Sequence, residues 1–378
     1  MSALLKLKDY GQSYWLDNLT RKMIINGELK SRVSEQGLRG MTSNPSIFNK
    51  AITKSEDYDN QITQLIEHNK STLEIYEALT VKDVRDACDI LRPVYDESDG
   101  IDGFVSLEVS PYLALDAEAT MEEARRLFKA VNRPNVFIKI PGTDECVSAI
   151  EEMLYEDVNI NITLLFSIQN YEAIAQAYIK ALERRVREGK PIQNVSSVAS
   201  FFLSRIDVLV DQLLKHRIIP GRKTSQSSLA QKLFGTVAIA SAKLAYQSYK
   251  RIFSGDRWEA LVEKGARVQR PLWASTSTKN PEYSDVKYVE PLIGPNTVNT
   301  MPEETINAFA DHGVVEANTI EKNLDDAKQT FVDLKAIGID IDKVTWQLVN
   351  EGIEKFIEPY AALIKNLNQK REQITETI

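Results

Sequence analysis

The chain has 378 residues, 43% of them hydrophobic and 26% charged, and a formal net charge of −8. That length suits one large barrel or two medium domains, and the negative charge gives no encouragement for nucleic acid or an anionic membrane as partner. Anionic small substrates stay open, because a local cationic pocket can outweigh the global charge. Cys88 and Cys146 are the only cysteines, so a reducing compartment fits better than a disulfide framework, and the cytoplasm is expected. The start, MSALLKLKDYG, is too short and too charged for a signal peptide. No run of about 18 apolar residues exists to span a membrane. His68, His216 and His312 are scattered without close Cys or His partners. Metal-ligand spacing is therefore absent, and no metal is expected.

In chain order, QSYWLD (Gln12–Asp17) reads as a strand and its continuation as a helix. LRGMTSN (Leu38–Asn44) and GFVSLEVSP (Gly103–Pro111) are further strands. A helix over Thr120–Val131 carries a capping box in Thr120 and Glu123. NVFIKI (Asn135–Ile140) is a strand, and Thr143 or Asp144 caps a helix running to about Tyr155. NITLLFS (Asn161–Ser167) and NVSSVASFF (Asn194–Phe202) are strands, with a helix over 169–187 between them and another over SRIDVLVDQLLK afterwards. Arg222 to Phe253 is rich in helix formers, and its centre suits one long amphipathic helix. ARVQRPLWAS and KYVEPLIG read as strands, and helices follow from about Glu303. Asp342 to Glu376 predicts one or two long helices, kinked or broken at Pro359.

Eight strands, near residues 14, 40, 105, 137, 164, 197, 270 and 289, thus alternate with helices. This pattern predicts an α/β chain folded as one (β/α)8 TIM barrel domain over 1–378, with added helices and a long helical C-terminal segment. No GxGxxG follows the first strand and no GxxxxGK[ST] occurs, which argues against a doubly wound nucleotide-binding sheet.

One charge interrupts an apolar strand: Lys139 in NVFIKIPGT. Strand alternation puts Val136, Ile138 and Ile140 on one face and Phe137 with Lys139 on the other. If the branched residues pack beneath helices, Lys139 points into the barrel near its C-terminal mouth. A lone lysine in such a run reads first as a side chain snorkelling from a strand end, and an inward position makes that reading harder. Other polar residues stand at similar strand positions: Asp17, Thr42, Asn44, Glu108, Asn161, Thr163, Ser200 and Ser275. Each has a plainer reading alone, Asp17 and Asn44 as helix caps and Thr163 as a neutral strand former. Their convergence at the mouth matches the site location of this fold. A lysine beside carboxylates suits Schiff-base chemistry, in which a neutral amine attacks a ketone and the carboxylates move the protons.

With these residues in place the sequence resembles the transaldolase family, in its longer single-domain bacterial and plant-type class. TSNPSIFNKAI, NVFIKIPGT, NITLLFS, SYWLDNLTR, VASFFLSRID and PLWASTSTKNP carry the resemblance. It implies a class I aldolase-type barrel, needing no cofactor, that moves a dihydroxyacetone unit between sugar phosphates in the pentose phosphate pathway. It implies the Schiff-base lysine in Lys139, the proton acceptor in Asp17, and a water held by Glu108 and Thr163. Asn44, Asn161, Ser200 and Thr42 then surround the intermediate, and Arg205 binds phosphate. Many relatives have a second phosphate-binding arginine after the Ala274-Ser275 pair. Here none follows, and Ser275, Ser277 and Lys279 stand in its place; Arg133 and Arg270 are less well placed. A monomer or homodimer is expected.

Overall fold

The computed structural model describes residues 2–218 and 224–377. Eight strands form: β1 (Gln12–Asp17), β2 (Gly40–Thr42), β3 (Phe104–Glu108), β4 (Val136–Pro141), β5 (Ile160–Leu165), β6 (Ser197–Phe202), β7 (Arg270–Ala274) and β8 (Thr297–Met301). They pair parallel in chain order and close into a barrel when β8 meets β1. The expected (β/α)8 architecture is therefore present.

The barrel interior is plugged by aromatic rings. Phe104 and Phe137 stack with centroids 4.1 Å apart, and Trp15 lies 6.2 Å from Phe137. At roughly 25 cal/mol per Å2 and about 150–250 Å2 per ring, each contributes on the order of 4–6 kcal/mol. Gly40 on β2 makes room for the indole: a Cβ there would come within 2.4 Å of the Trp15 ring. Lys139 lies two residues beyond Phe137 on the same strand face, so the plug floors the site and leaves it open at the C-terminal mouth.

Several local expectations change. The eighth strand is Thr297–Met301, and the KYVEPLIG segment instead carries a short 3-10 turn at Glu290–Leu292. Pro291 in that turn has no N–H to give a sheet ladder. The true strand hides because polar Thr297 and Asn299 occupy its outward face, where Asn299 donates to the Tyr288 carbonyl. Asp116, not Thr120, caps the helix Ala117–Val131; the Thr120 hydroxyl donates to the Leu113 carbonyl. The helix Val147–Tyr155 starts after Cys146, because the Thr143 hydroxyl is spent on the Ala114 carbonyl. The long helix expected between Arg222 and Phe253 is two, Ser225–Leu233 and Val237–Ile252, separated around Gly235, whose φ is 64°. Arg222 itself lies outside the described residues.

The C-terminal helix Ile341–Thr377 runs unbroken through Pro359. Proline removes one helical hydrogen bond, and tertiary anchors on the same helix offset that loss. Asn366 donates to Asn49, Thr72 donates to Asn368, and Lys370 donates to the Ser55 carbonyl. Toward its start the helix crosses the end of β5. Leu164 there has φ 61° at a register shift, and Gly352 lies against it. A Cβ at Gly352 would meet the Leu164 side chain at 3.0 Å. This close approach sets the height at which the helix passes the mouth.

Candidate active site

A cavity of about 720 Å3 opens at the C-terminal mouth. Lys139 lines it, only 5% exposed, as sequence parity predicts. Its Nζ donates to the Ser43 carbonyl at 3.2 Å and faces Glu108 Oε2 at 3.6 Å. Parallel register explains the grouping: Glu108, Lys139 and Asn161 sit level on β3, β4 and β5. Asp17 ends β1 level with Thr42 on β2. The Thr42 hydroxyl lies 2.7 Å from Asp17 Oδ1 and 2.7 Å from the Thr300 hydroxyl. Asp17 thus orients toward the site and does not cap the next helix, whose cap is Thr20.

Electrostatics mark both carboxylates. Burial pushes Glu108 up to about 7, against the pull of Lys139. Burial also raises Asp17, opposed by Lys139 and the Thr42 hydrogen bond. Among the described residues, Glu108 Oε2 and the Thr163 hydroxyl are buried without hydrogen-bond partners. Such atoms are rare in native proteins and cost roughly 1–3 kcal/mol each when unpaired. Ser200 donates to Asn161 Oδ1 at 2.6 Å, and Asn161 donates to Ser106 at 3.0 Å.

Asp17, Thr42, Asn44, Lys139, Ser200, Arg205, Ser275, Ser277 and Lys279 all line the cavity. Glu108, Asn161 and Thr163 do not; they stand beside or behind Lys139. Asn44 serves as cap as well as lining, since its Oδ1 accepts from the Ile47 N–H. Arg205 lies in the first turn of the helix Ser204–Lys215, between the rings of Phe202 and Phe356 at 5.4 and 5.8 Å. It pairs with neither Asp207 nor Asp211, which bond to Tyr288 and Tyr283. Its Nη1 is buried without a partner among the described residues, and burial lowers its pKa. Ser275 holds φ 54°, a strained value for a non-glycine residue, and shares a 2.8 Å hydroxyl contact with Ser204. Lys279 donates to Ser277. Arg133 pairs with Asp89 far from the mouth, and Arg270 opens β7 at the other end of the barrel.

Arg205 apart, sequence reasoning missed the side chains that helices contribute. Lys50, Glu303, Glu304, Lys355 and Phe356 also line the cavity. Lys50 lies inside TSNPSIFNKAI, close behind β2, so its position was within reach. Phe356, 7% exposed, stands 5.6 Å from Lys139 Nζ and carried no local signal. The lining holds five basic side chains and three acidic ones, and Glu303 is already paired with Arg32. The mouth is therefore cationic on a chain of net charge −8. Among the described residues, no group of three or more His, Cys, Asp or Glu is placed to hold a metal, and no helix is long and apolar enough to cross a membrane.

Fold and site together define a parallel barrel built around one buried lysine at its C-terminal mouth. A family model described as Transaldolase/Fructose-6-phosphate aldolase matches residues 14–367. The chain is 51% identical over 377 residues to a protein named transaldolase from Trichodesmium erythraeum, covering 98% of each. It is 51% identical over 375 residues to "Transaldolase 2" of a Nostoc species, again 98% of each. A transaldolase of Frankia alni is 45% identical over 369 residues, 98% of this chain and 97% of the relative. The chain belongs to the transaldolase/fructose-6-phosphate aldolase family.

Proposed function

We infer that this chain is a one-domain transaldolase, a transferase that moves a dihydroxyacetone unit from a ketose phosphate to an aldose phosphate. Its place is the pentose phosphate pathway of the cytoplasm, with sedoheptulose 7-phosphate and glyceraldehyde 3-phosphate giving erythrose 4-phosphate and fructose 6-phosphate. Near-full-length likeness to proteins named transaldolase supports this reading. The observation that carries it is the buried Lys139 beside Glu108, in a cavity with a cationic lining.

Lys139 attacks the donor C2 carbonyl as the free amine and gives a carbinolamine. Loss of water gives the iminium, with Glu108 shuttling protons through one water held between its Oε2 and the Thr163 hydroxyl. A carboxyl held near 7 is suited to both directions of that transfer. Asp17, oriented by Thr42, takes the proton of the C4 hydroxyl. The C3–C4 bond breaks, its electron pair enters the iminium, and the aldose phosphate leaves. Asn44, Asn161 and Ser200 retain the enamine by its hydroxyls. The second aldose phosphate is attacked at its aldehyde carbon, Asp17 returns the proton, and water releases the product and Lys139. Arg205, with Ser275, Ser277 and Lys279, holds the phosphate, using donors at the mouth that a bidentate anion can satisfy.

Two measurements test this. Sedoheptulose 7-phosphate cleavage is followed with and without glyceraldehyde 3-phosphate; transfer requires the acceptor. Release of free dihydroxyacetone at the full rate without it identifies a lyase instead. Borohydride with fructose 6-phosphate should fix a covalent adduct on Lys139, read by intact mass and peptide mapping. No adduct on folded protein rules out the imine.

A further inference from the structure

A second cavity, of about 180 Å3, lies at the opposite, N-terminal end of the barrel. Arg267, Arg270 and Ser196 line it, Phe104 and Phe137 contribute apolar wall, and no carboxylate lines it. Arg270 is 7% exposed. Its Nη1 donates to Asp102 at 2.9 Å and to the Ile101 carbonyl, and its Nη2 to Ser13 and the Thr297 carbonyl. Its Nε has no partner among the described residues, and neither has the buried Ser196 hydroxyl. Asp102 is shared with Arg39 at 3.3 Å, so one carboxylate answers two guanidiniums. Arg267 adds a further positive charge; its ion partner Asp99, at 3.5 Å, is almost fully exposed and screened by water.

We propose that this cavity binds a small oxyanion, phosphate or a phosphate monoester, at a site separate from the mouth. Three guanidiniums, of Arg39, Arg267 and Arg270, share two carboxylates, of Asp99 and Asp102, and the surplus supplies the charge. The free Arg270 Nε and Ser196 hydroxyl supply donors that nothing among the described residues satisfies, and the cavity has room for a phosphate-sized group. The aromatic plug isolates the two sites. Phe137 forms wall of the lower cavity, and Lys139, two residues on along β4, serves the upper.

Inorganic phosphate is titrated calorimetrically into the full-length protein and into Arg205→Ala, Arg267→Gln and Ser196→Ala, with folding checked by circular dichroism. The wild type should show two phosphate sites, and Arg205→Ala should keep one. Arg267→Gln should weaken that remaining site about tenfold while leaving sugar-phosphate turnover intact, and Ser196→Ala should weaken it about threefold. Glycerol 3-phosphate in place of phosphate identifies the source: tighter binding assigns the monoester, weaker binding the free ion. A single phosphate site that Arg205→Ala abolishes and Arg267→Gln leaves unchanged overturns the proposal. So does a second site that none of the three substitutions alters.

Discussion

The two ends of the barrel handle buried charge in opposite ways. At the N-terminal end, burial works to raise Asp102, yet Arg270, Ser13 and Arg39 outweigh it and hold the carboxyl below its usual range. At the C-terminal mouth, burial prevails, and Asp17 and Glu108 rise despite Lys139. The difference is one of pairing. Asp102 has close partners: Ser13 at 2.7 Å, Arg270 at 2.9 Å and Arg39 at 3.3 Å. Glu108 faces its cation at 3.6 Å with a lone pair left over. A carboxylate that is fully paired secures a structure, while one left partly unpaired is available to a substrate.

The largest expected break in this comparison is Lys139→Ala, which removes the amine. Turnover should fall by about four orders of magnitude or more, and the borohydride adduct should vanish. An adduct that persists at another lysine would move the nucleophile elsewhere. Next comes Asp102→Ala, which leaves Arg39 and Arg270 without their carboxylate. It should cost about 3–5 kcal/mol of stability in urea denaturation. A loss under about 1 kcal/mol would mean that water serves these guanidiniums as well as Asp102 does.

Glu108→Gln should lower kcat/KM by about 10²–10³-fold while sparing stability. Its pH signature has a definite sign. Glu108 titrates near 7 in the folded chain against 4.5 as its ordinary value. The native state therefore holds more protons across that window, and stability falls as pH rises through it, by about 3 kcal/mol in all. Glutamine at this position should flatten the slope between those pH values; an unaltered slope refutes the assignment. Asp102 has the opposite sign, contributing stability that is lost as pH falls through its depressed folded value. The smallest effect is expected for Phe356→Ala at the mouth. Uncovering Lys139 should raise hydrolysis relative to transfer about three- to tenfold, read as dihydroxyacetone released per transfer product. No change in that ratio would leave the ring a purely structural role.

Strand positions at the mouth were largely legible in the sequence, and helix contributions, Arg205 apart, were not. Lys139, Glu108, Asn161 and Asp17 lie on strands, where a period of two fixes the face once the apolar partners are known. β8 failed that test because polar Thr297 and Asn299 face outward, while Tyr288, Val289 and Leu292 gave an apolar run that only packs. Phe356 and Lys355 come from a helix whose path is set by Leu164 against Gly352, a contact between residues far apart in the chain. Family resemblance supplied roles that spacing alone left open, most of all for Arg205 and Ser200.

The order of synthesis gives the C-terminal helix a further meaning. β1 cannot find its partner β8 until residue 301 has been made, and the helix over Lys139 follows only at residues 341–377. A nascent chain with all eight strands still lacks Phe356 and the ties from Asn366 and Lys370 to the segment around residues 49–55. In chain order, the element that shelters the lysine follows every strand of the ring beneath it.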